Sequence, residues 1–276
     1  MMSGGFLLGV SILAGLVGAV SGVGGGVVLI PVLTYCGIDI KRAIALSLLS
    51  VVAVSNSAAS TYLRRHLPNL KANAFLGLFA VIGSLVGASI TLASGRRSLF
   101  VICGGIMLLS GLVLWKRRKE DWTPSPPLDA GSQRLVMAGS YYDYTEKRTI
   151  HYRARGVAIA GPLMFGTGLV SGWLGFGSSA LTVLVQDLVM GLPPKVSLTT
   201  SNLVIGVMAL AGTSVYLEAG LIDPRLAVFV ILGVPLGAWI GSKVFVGLTN
   251  RVVRIVFLAV VIIFGVEMIA HGVRGV

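Results

Sequence analysis

A glycine knot, Ser21-Gly22-Val23-Gly24-Gly25-Gly26, interrupts an otherwise apolar stretch that covers residues 6–36. Glycine costs up to about 1 kcal/mol per helical position relative to alanine, so a helix that enters three consecutive glycines stops there. Inside a lipid bilayer, a broken helix survives only where protein or a polar cavity satisfies the freed N–H and C=O groups. The knot has an echo at Leu174-Gly175-Phe176-Gly177-Ser178-Ser179, again between apolar flanks. Glycine-broken apolar segments at corresponding places in two halves of a chain point to the binding site of a transporter.

The membrane premise rests on composition. Hydrophobic residues make up 55% and charged residues 12% of the 276, and mean hydropathy is +0.91. Soluble domains carry about 25% charged residues. An all-α polytopic membrane protein is therefore expected, with the lipid bilayer as its surroundings. The formal charge of +12 does not imply nucleic acid, because the basic residues fall in short connections and one central linker, as topology signals do. The first twenty residues hold no Lys or Arg, which argues against a cleaved signal peptide. Cys36 and Cys103 have neither metal nor redox spacing and read as packing residues.

Residues 6–20 and 27–36 flank the first knot. Each is too short for the ~30 Å hydrocarbon core, so they form either one kinked helix or a hairpin that dips in and returns. Helices are then expected over 43–63, 72–93 and 98–115, with Gly83-xxx-Gly87 as a close-packing seam. The polar stretch that follows holds Pro124, Pro126, Pro127 and the cluster Tyr141, Tyr142, Tyr144. It reads as a cytoplasmic tether with room for a short strand or helix. The expected organisation is a first transmembrane repeat at 1–115, a linker at 116–156 and a second repeat at 157–276.

The repeat is visible residue by residue. Gly15, Gly22 and Gly24 match Gly168, Gly175 and Gly177 at an offset of 153; after one inserted residue the offset is 154, and Gly37, Lys41, Ser47, Tyr62, Gly83, Gly87 and Arg97 match Gly191, Lys195, Ser201, Tyr216, Gly237, Gly241 and Arg251. Parallel repeats follow if each half crosses the membrane four times. If the knots turn hairpins, each half has five segments and the second is inverted. Inversion moves Lys195, Lys243, Arg251 and Arg254 to the cytoplasmic side and Arg225 and Arg274 away from it. That improves the positive-inside bias, and inverted repeats are preferred.

Chemistry is expected at the breaks. The second piece of a broken helix begins with unpaired N–H groups and the positive end of a dipole, which suits an anion. Gly22, Gly24, Gly25 and Gly26 would let a ligand approach bare backbone, as would Gly175 and Gly177. Ser178 and Ser179 add hydroxyl donors. Ser47, Thr200, Ser201 and Asn202, beside the knots, are further binding candidates. The more distal Ser57 and Thr213 read as interhelical hydrogen bonds. Asp187, next to Gln186, is the best coupling candidate, since an ionisable residue in a membrane segment is costly without a role; a place at the interface is the alternative. No Gly-Lys-Ser/Thr follows either knot, which removes a phosphate-loop reading. No metal-ligand set or nucleophile–base pair appears, so no cofactor and no enzymatic activity are expected.

Gly22-Val-Gly-Gly-Gly-Val-Val-Leu-Ile-Pro31, then Gly37 and Ala45-Leu-Ser47, resembles the glycine-rich signature of the TauE/SafE family, and so does Met190-Gly-Leu-Pro-Pro-Lys195 with Thr199-Thr-Ser-Asn202. The resemblance covers both halves and not the linker. It implies an inner-membrane permease for sulfite or small organosulfonates such as sulfoacetate, with a small anion as partner. Leu46 stands where threonine is common, and Ser178-Ser179 replace glycines, so substrate identity is open. A channel of the same fold or a non-transporting scaffold are the alternatives. A homo-oligomer is compatible with the sequence and not required by it.

Overall fold

The computed structural model describes residues 4–21, 25–64, 68–116, 138–143, 148–176, 178–247 and 250–274. The first half holds α1 (Gly4–Ser21), α2 (Gly26–Tyr35), α3 (Ile40–Arg64), α4 (Leu70–Ala93) and α5 (Arg96–Lys116). The second holds α6 (Val157–Leu174), α7 (Ser179–Leu184) continuing into a π-helical turn (Val185–Val189), α8 (Pro194–Glu218), α9 (Pro224–Gly247) and α10 (Asn250–Arg274). Between them lies a β-hairpin of β1 (Ala138–Asp143) and β2 (Arg148–Arg153), paired antiparallel from Ala138↔Arg153 to Asp143↔Arg148. Among the described residues, the chain outside the linker is helical, as expected for its class, and the linker carries this antiparallel strand pair.

Helices α3, α4 and α5 start two or three residues before the apolar stripe does. Local caps explain the extension. The Asn69 side chain accepts the Ala72 N–H at 3.0 Å, and Asp39 accepts the Lys41 N–H at 2.8 Å, so orphan donors of the first turn are satisfied locally. Asp39 also pairs with Arg96, and Lys41 donates to the Leu92 carbonyl at 2.7 Å. Those contacts join the start of α3 to the end of α4, so the two helices run antiparallel.

Both glycine breaks turn hairpins. A Cβ on Gly25 would lie 3.2 Å from the Ala14 carbonyl oxygen, and Ser178 donates to the Thr167 carbonyl at 2.7 Å. In each case the chain, having passed the end of its helix at Ser21 or Leu174, has come back beside that helix about 10 Å below its end. Gly25 also lies against Ser50, deep in α3, so α2 runs back along α3. At about 15 Å, α2 spans half the hydrocarbon core.

The halves interlock by exchange. The fourth helix of each packs on the first helix of the other, through glycines that the repeat places in register. A Cβ at Gly83 would overlap the Phe165 carbonyl, and one at its counterpart Gly237 would overlap the Ile12 carbonyl; Gly87 and Gly241 meet Leu169 and Leu16 in the same way. Such backbone-to-backbone approach is how membrane helices gain packing energy where lipid offers no hydrophobic drive. Contact order along these pairs makes α4 parallel to α6 and α1 parallel to α9. The equivalent helices α3 and α8 run antiparallel, with Gly206 against Ser55 and Gly212 against Leu48. So do α5 and α10, with Gly104 against Gly265 and Gly272 against Phe100.

Among the described residues, Ile40–Ser57, Leu70–Ala93, Val157–Leu174, Val196–Glu218 and Pro224–Gly241 are long and apolar enough to cross a bilayer. Their outward faces are large and apolar. Leu78, Ile82, Leu85 and Val86 on α4 are exposed, and so are the equivalent Leu232, Leu236, Trp239 and Ile240 on α9.

Candidate functional site

The breaks, 150 residues apart in sequence, touch. A Cβ on Gly26 would sit 2.9 Å from the Gly175 carbonyl oxygen and 3.1 Å from the Phe176 Cα. Ser47 on α3 donates its one hydroxyl proton to either the Gly175 or the Ile44 carbonyl. Gly175 itself is left-handed (φ 76°) and closes α6 through its N–H to the Ser171 carbonyl at 2.9 Å. A side chain there would meet both strain and the Ser47 hydroxyl. At Gly26 and Gly175, then, the missing side chain serves the contact between the two hairpins.

The broken end of α6 is closed on its carbonyl side. Tyr216 of α8 donates to the Gly172 carbonyl at 2.7 Å, Thr91 of α4 to the Trp173 carbonyl at 2.6 Å, and Ser47 of α3 to Gly175. Three helices thus supply hydroxyl donors to carbonyls that a helix end leaves orphaned. The start of α2 carries the opposite polarity: its first amides have no intrahelical acceptor, and its first residue, Gly26, lies against Gly175 and Phe176 of the other break.

The other candidates divide. Gly22, Gly24 and Gly177 lie outside the described residues, and Ser179 opens α7. The Ser178 proton is committed to Thr167, so this hydroxyl is a hairpin lock and offers a ligand only its lone pairs. Thr200 accepts the Asn69 N–H at 3.0 Å, tying α8 to the corner before α4 and away from the hairpin junction. Asn202 meets Ser55 of α3 at 3.3 Å. Ser201, the repeat partner of Ser47, is 1% exposed and its hydroxyl has no partner among the described residues. Ser57 and Thr213 donate to the Ala53 and Ala209 carbonyls of their own helices, at 2.8 and 2.7 Å; a helical carbonyl four residues back is always in reach of a β-hydroxyl.

Asp187 stands on the π-turn. The inserted residue that moves the repeat offset from 153 to 154 falls between Gly177 and Gly191, the stretch that contains this turn, and a helix absorbs one extra residue as a single i→i+5 turn. Here Met190 N–H donates to the Val185 carbonyl at 3.2 Å. The turn lies at the linker end of the second half, since the Met190 carbonyl accepts the Arg155 N–H at 3.0 Å and Gly156 abuts the Val189 carbonyl. The change of offset was the signal in the sequence for this turn, and Gln186 and Thr182, both fully buried beside Asp187, are the polar residues that spacing alone did not single out.

Membrane-length helices and two glycine breaks in contact define a polytopic helical membrane protein of broken-helix architecture. The family model described as Sulfite exporter TauE/SafE matches residues 7–268, and the chain belongs to that family. It is 24% identical over 280 residues to the "Probable membrane transporter protein YunE" of Bacillus subtilis (strain 168), covering 97% of each chain. It is 28% identical over 251 residues to the "Probable membrane transporter protein YdhB" of the same organism, covering 90% of each. No solved structure matches the chain.

Proposed function

We propose that the protein is a permease that carries a small sulfur-containing anion, sulfite or an organosulfonate such as sulfoacetate, across a bacterial inner membrane. The anion sits where the two hairpins meet. One observation carries this reading: Gly26, the first residue of α2, lies against Gly175 and Phe176 of the other break, whose carbonyl side is closed by Ser47, Thr91 and Tyr216, so the amides and positive dipole end of α2 are the groups left to face an anion there. Protein acceptors for those amides are what a bound anion would replace. Sulfite fits the family description, and transport agrees with the names of both relatives.

Residues 1–115 and 157–276 are the two repeats, and 116–156 is a cytoplasmic linker. The antiparallel pairing of α3 with α8 and of α5 with α10 supports an inverted relation between them, with the pseudo-two-fold axis in the membrane plane. Such a pair of repeats can rock about a central site to open it to either side. Asp187, near the linker end, is the coupling candidate for a proton.

Thermal unfolding of the detergent-purified protein with sulfite, thiosulfate, sulfoacetate, sulfate and acetate tests the substrate class. A ligand at a hundred times its Kd stabilises the folded state by about 2.7 kcal/mol, so a sulfite or sulfonate should raise Tm where acetate does not. No shift with any sulfur oxyanion would contradict the proposal. Saturable, gradient-driven uptake in proteoliposomes then separates a carrier from a channel.

A further inference from the structure

The second hairpin carries polarity that its packing does not need. From the cap of α7 to its π-turn, Ser178, Thr182 and Gln186 recur at intervals of four and form one stripe, all of them buried. Counted from the knots, the first hairpin has Gly25, Leu29 and Leu33 there, and both leucines are fully buried. The fold therefore solves the same packing problem with hydrocarbon in one half and with a hydroxyl and a carboxamide in the other. Ser178 and Thr182 are satisfied by the Thr167 and Ser178 carbonyls, at 2.7 and 3.0 Å. Gln186 is different: it is 0% exposed, and neither its Nε2 nor its Oε1 has a partner among the described residues.

A carboxamide offers two N–H donors and two acceptor sites, and leaving all of them unmade in a dry interior is unfavourable. Its setting adds to the anomaly. The π-turn begins one residue before Gln186, and its backbone carbonyl accepts the Leu192 N–H at 3.1 Å, which anchors the residue between α7 and α8. Gln186 stands about 12 Å along the helix from Ser178, toward the linker end, and so beyond reach of an anion at the junction.

We propose that Gln186 is a substrate-contacting residue, a second polar station on the linker side of the hairpin junction, whose amide N–H groups bind the oxyanion as it enters or leaves. Its asymmetry matters to transport: a station present in one half alone lies on one side of the junction only. The inference rests on the permease reading above, and the test separates the two.

Gln186→Met keeps length and flexibility and removes the polar atoms; Gln186→Leu copies the first hairpin. Radiolabelled sulfite is the probe, with equilibrium binding and Tm measured in detergent and initial uptake measured in proteoliposomes. The station predicts at least a tenfold loss of uptake rate for both variants, with sulfite affinity at the junction within twofold of wild type and Tm unchanged or higher. Uptake equal to wild type in either well-folded variant would overturn it and leave an inert buried amide. A collapse of Tm in both would also overturn it, by making the amide a structural brace. Wild-type protein that neither binds nor transports sulfite would instead sink the permease reading itself.

Discussion

At the scale of single residues, hydroxyls do most of the work of making a broken helix tolerable in a membrane. The Tyr216 phenol, fully buried, reaches the Gly172 carbonyl that the end of α6 leaves unpaired. Removing one partner of a buried hydrogen bond leaves the other desolvated, at about 1–3 kcal/mol. Tyr216→Phe should therefore lower thermal stability in detergent by that order, while the aromatic packing stays; an unchanged Tm would mean that the carbonyl finds another donor. Asp187 is tested by its own substitution. Asp187→Asn should abolish proton-driven accumulation of sulfite in proteoliposomes and leave binding in detergent measurable. Full accumulation would make it an interfacial residue with no part in coupling. The glycines divide along similar lines: Gly26 and Gly175 are fixed by protein contacts, so substitutions there report on folding before they report on ligand.

At the scale of elements, the unit of assembly is the glycine-seamed helix pair. Gly83 and Gly87 let α4 lie against α6 at backbone distance, and Gly237 and Gly241 do the same for α9 on α1. Gly83→Ala should prevent stable folding, read as loss of a monodisperse peak in detergent chromatography. Gly77→Ala on the same helix is the control. A Cβ there meets nothing within 4 Å, and alanine gains up to about 1 kcal/mol of helix propensity, so its Tm should hold or rise. Equal behaviour of the two variants would mean that the seam does not hold the halves together. Much of this level was legible in sequence, because the repeat offset marks which glycines are equivalent and small-xxx-small spacing marks close packing. The choice between kink and hairpin was not. Helix propensity shows that a helix stops at Gly24–Gly26; where the chain goes next depends on Ala14 and Ser50 lying opposite Gly25, which are contacts between elements. The same limit separated Thr200 from Ser201. Adjacent polar residues on one helix point to different neighbours, and only the packing shows that Thr200 serves the Asn69 corner.

At the scale of the whole molecule, the proposed site lies between the halves of an internal duplication. Lys71 and Arg225 are repeat equivalents, both exposed in the first turn of α4 and α9. In a background lacking Cys36 and Cys103, Lys71→Cys and Arg225→Cys should be labelled by a membrane-impermeant thiol reagent from opposite faces of the membrane. Labelling from one face would make the repeats parallel. The central claim, that the anion lies at the hairpin junction, meets its most direct test in Ser201→Ala. Ser47 already serves the Gly175 carbonyl, whereas its repeat partner Ser201 is buried with no partner among the described residues. Deleting an idle buried hydroxyl leaves stability unchanged or improved, while deleting one that donates to a bound anion forfeits about 1.5–3 kcal/mol of binding. Sulfite affinity and Tm, measured together on wild type and Ser201→Ala, should show a roughly ten- to hundredfold weaker Kd with no fall in Tm. Wild-type affinity in a well-folded Ser201→Ala protein would contradict the account.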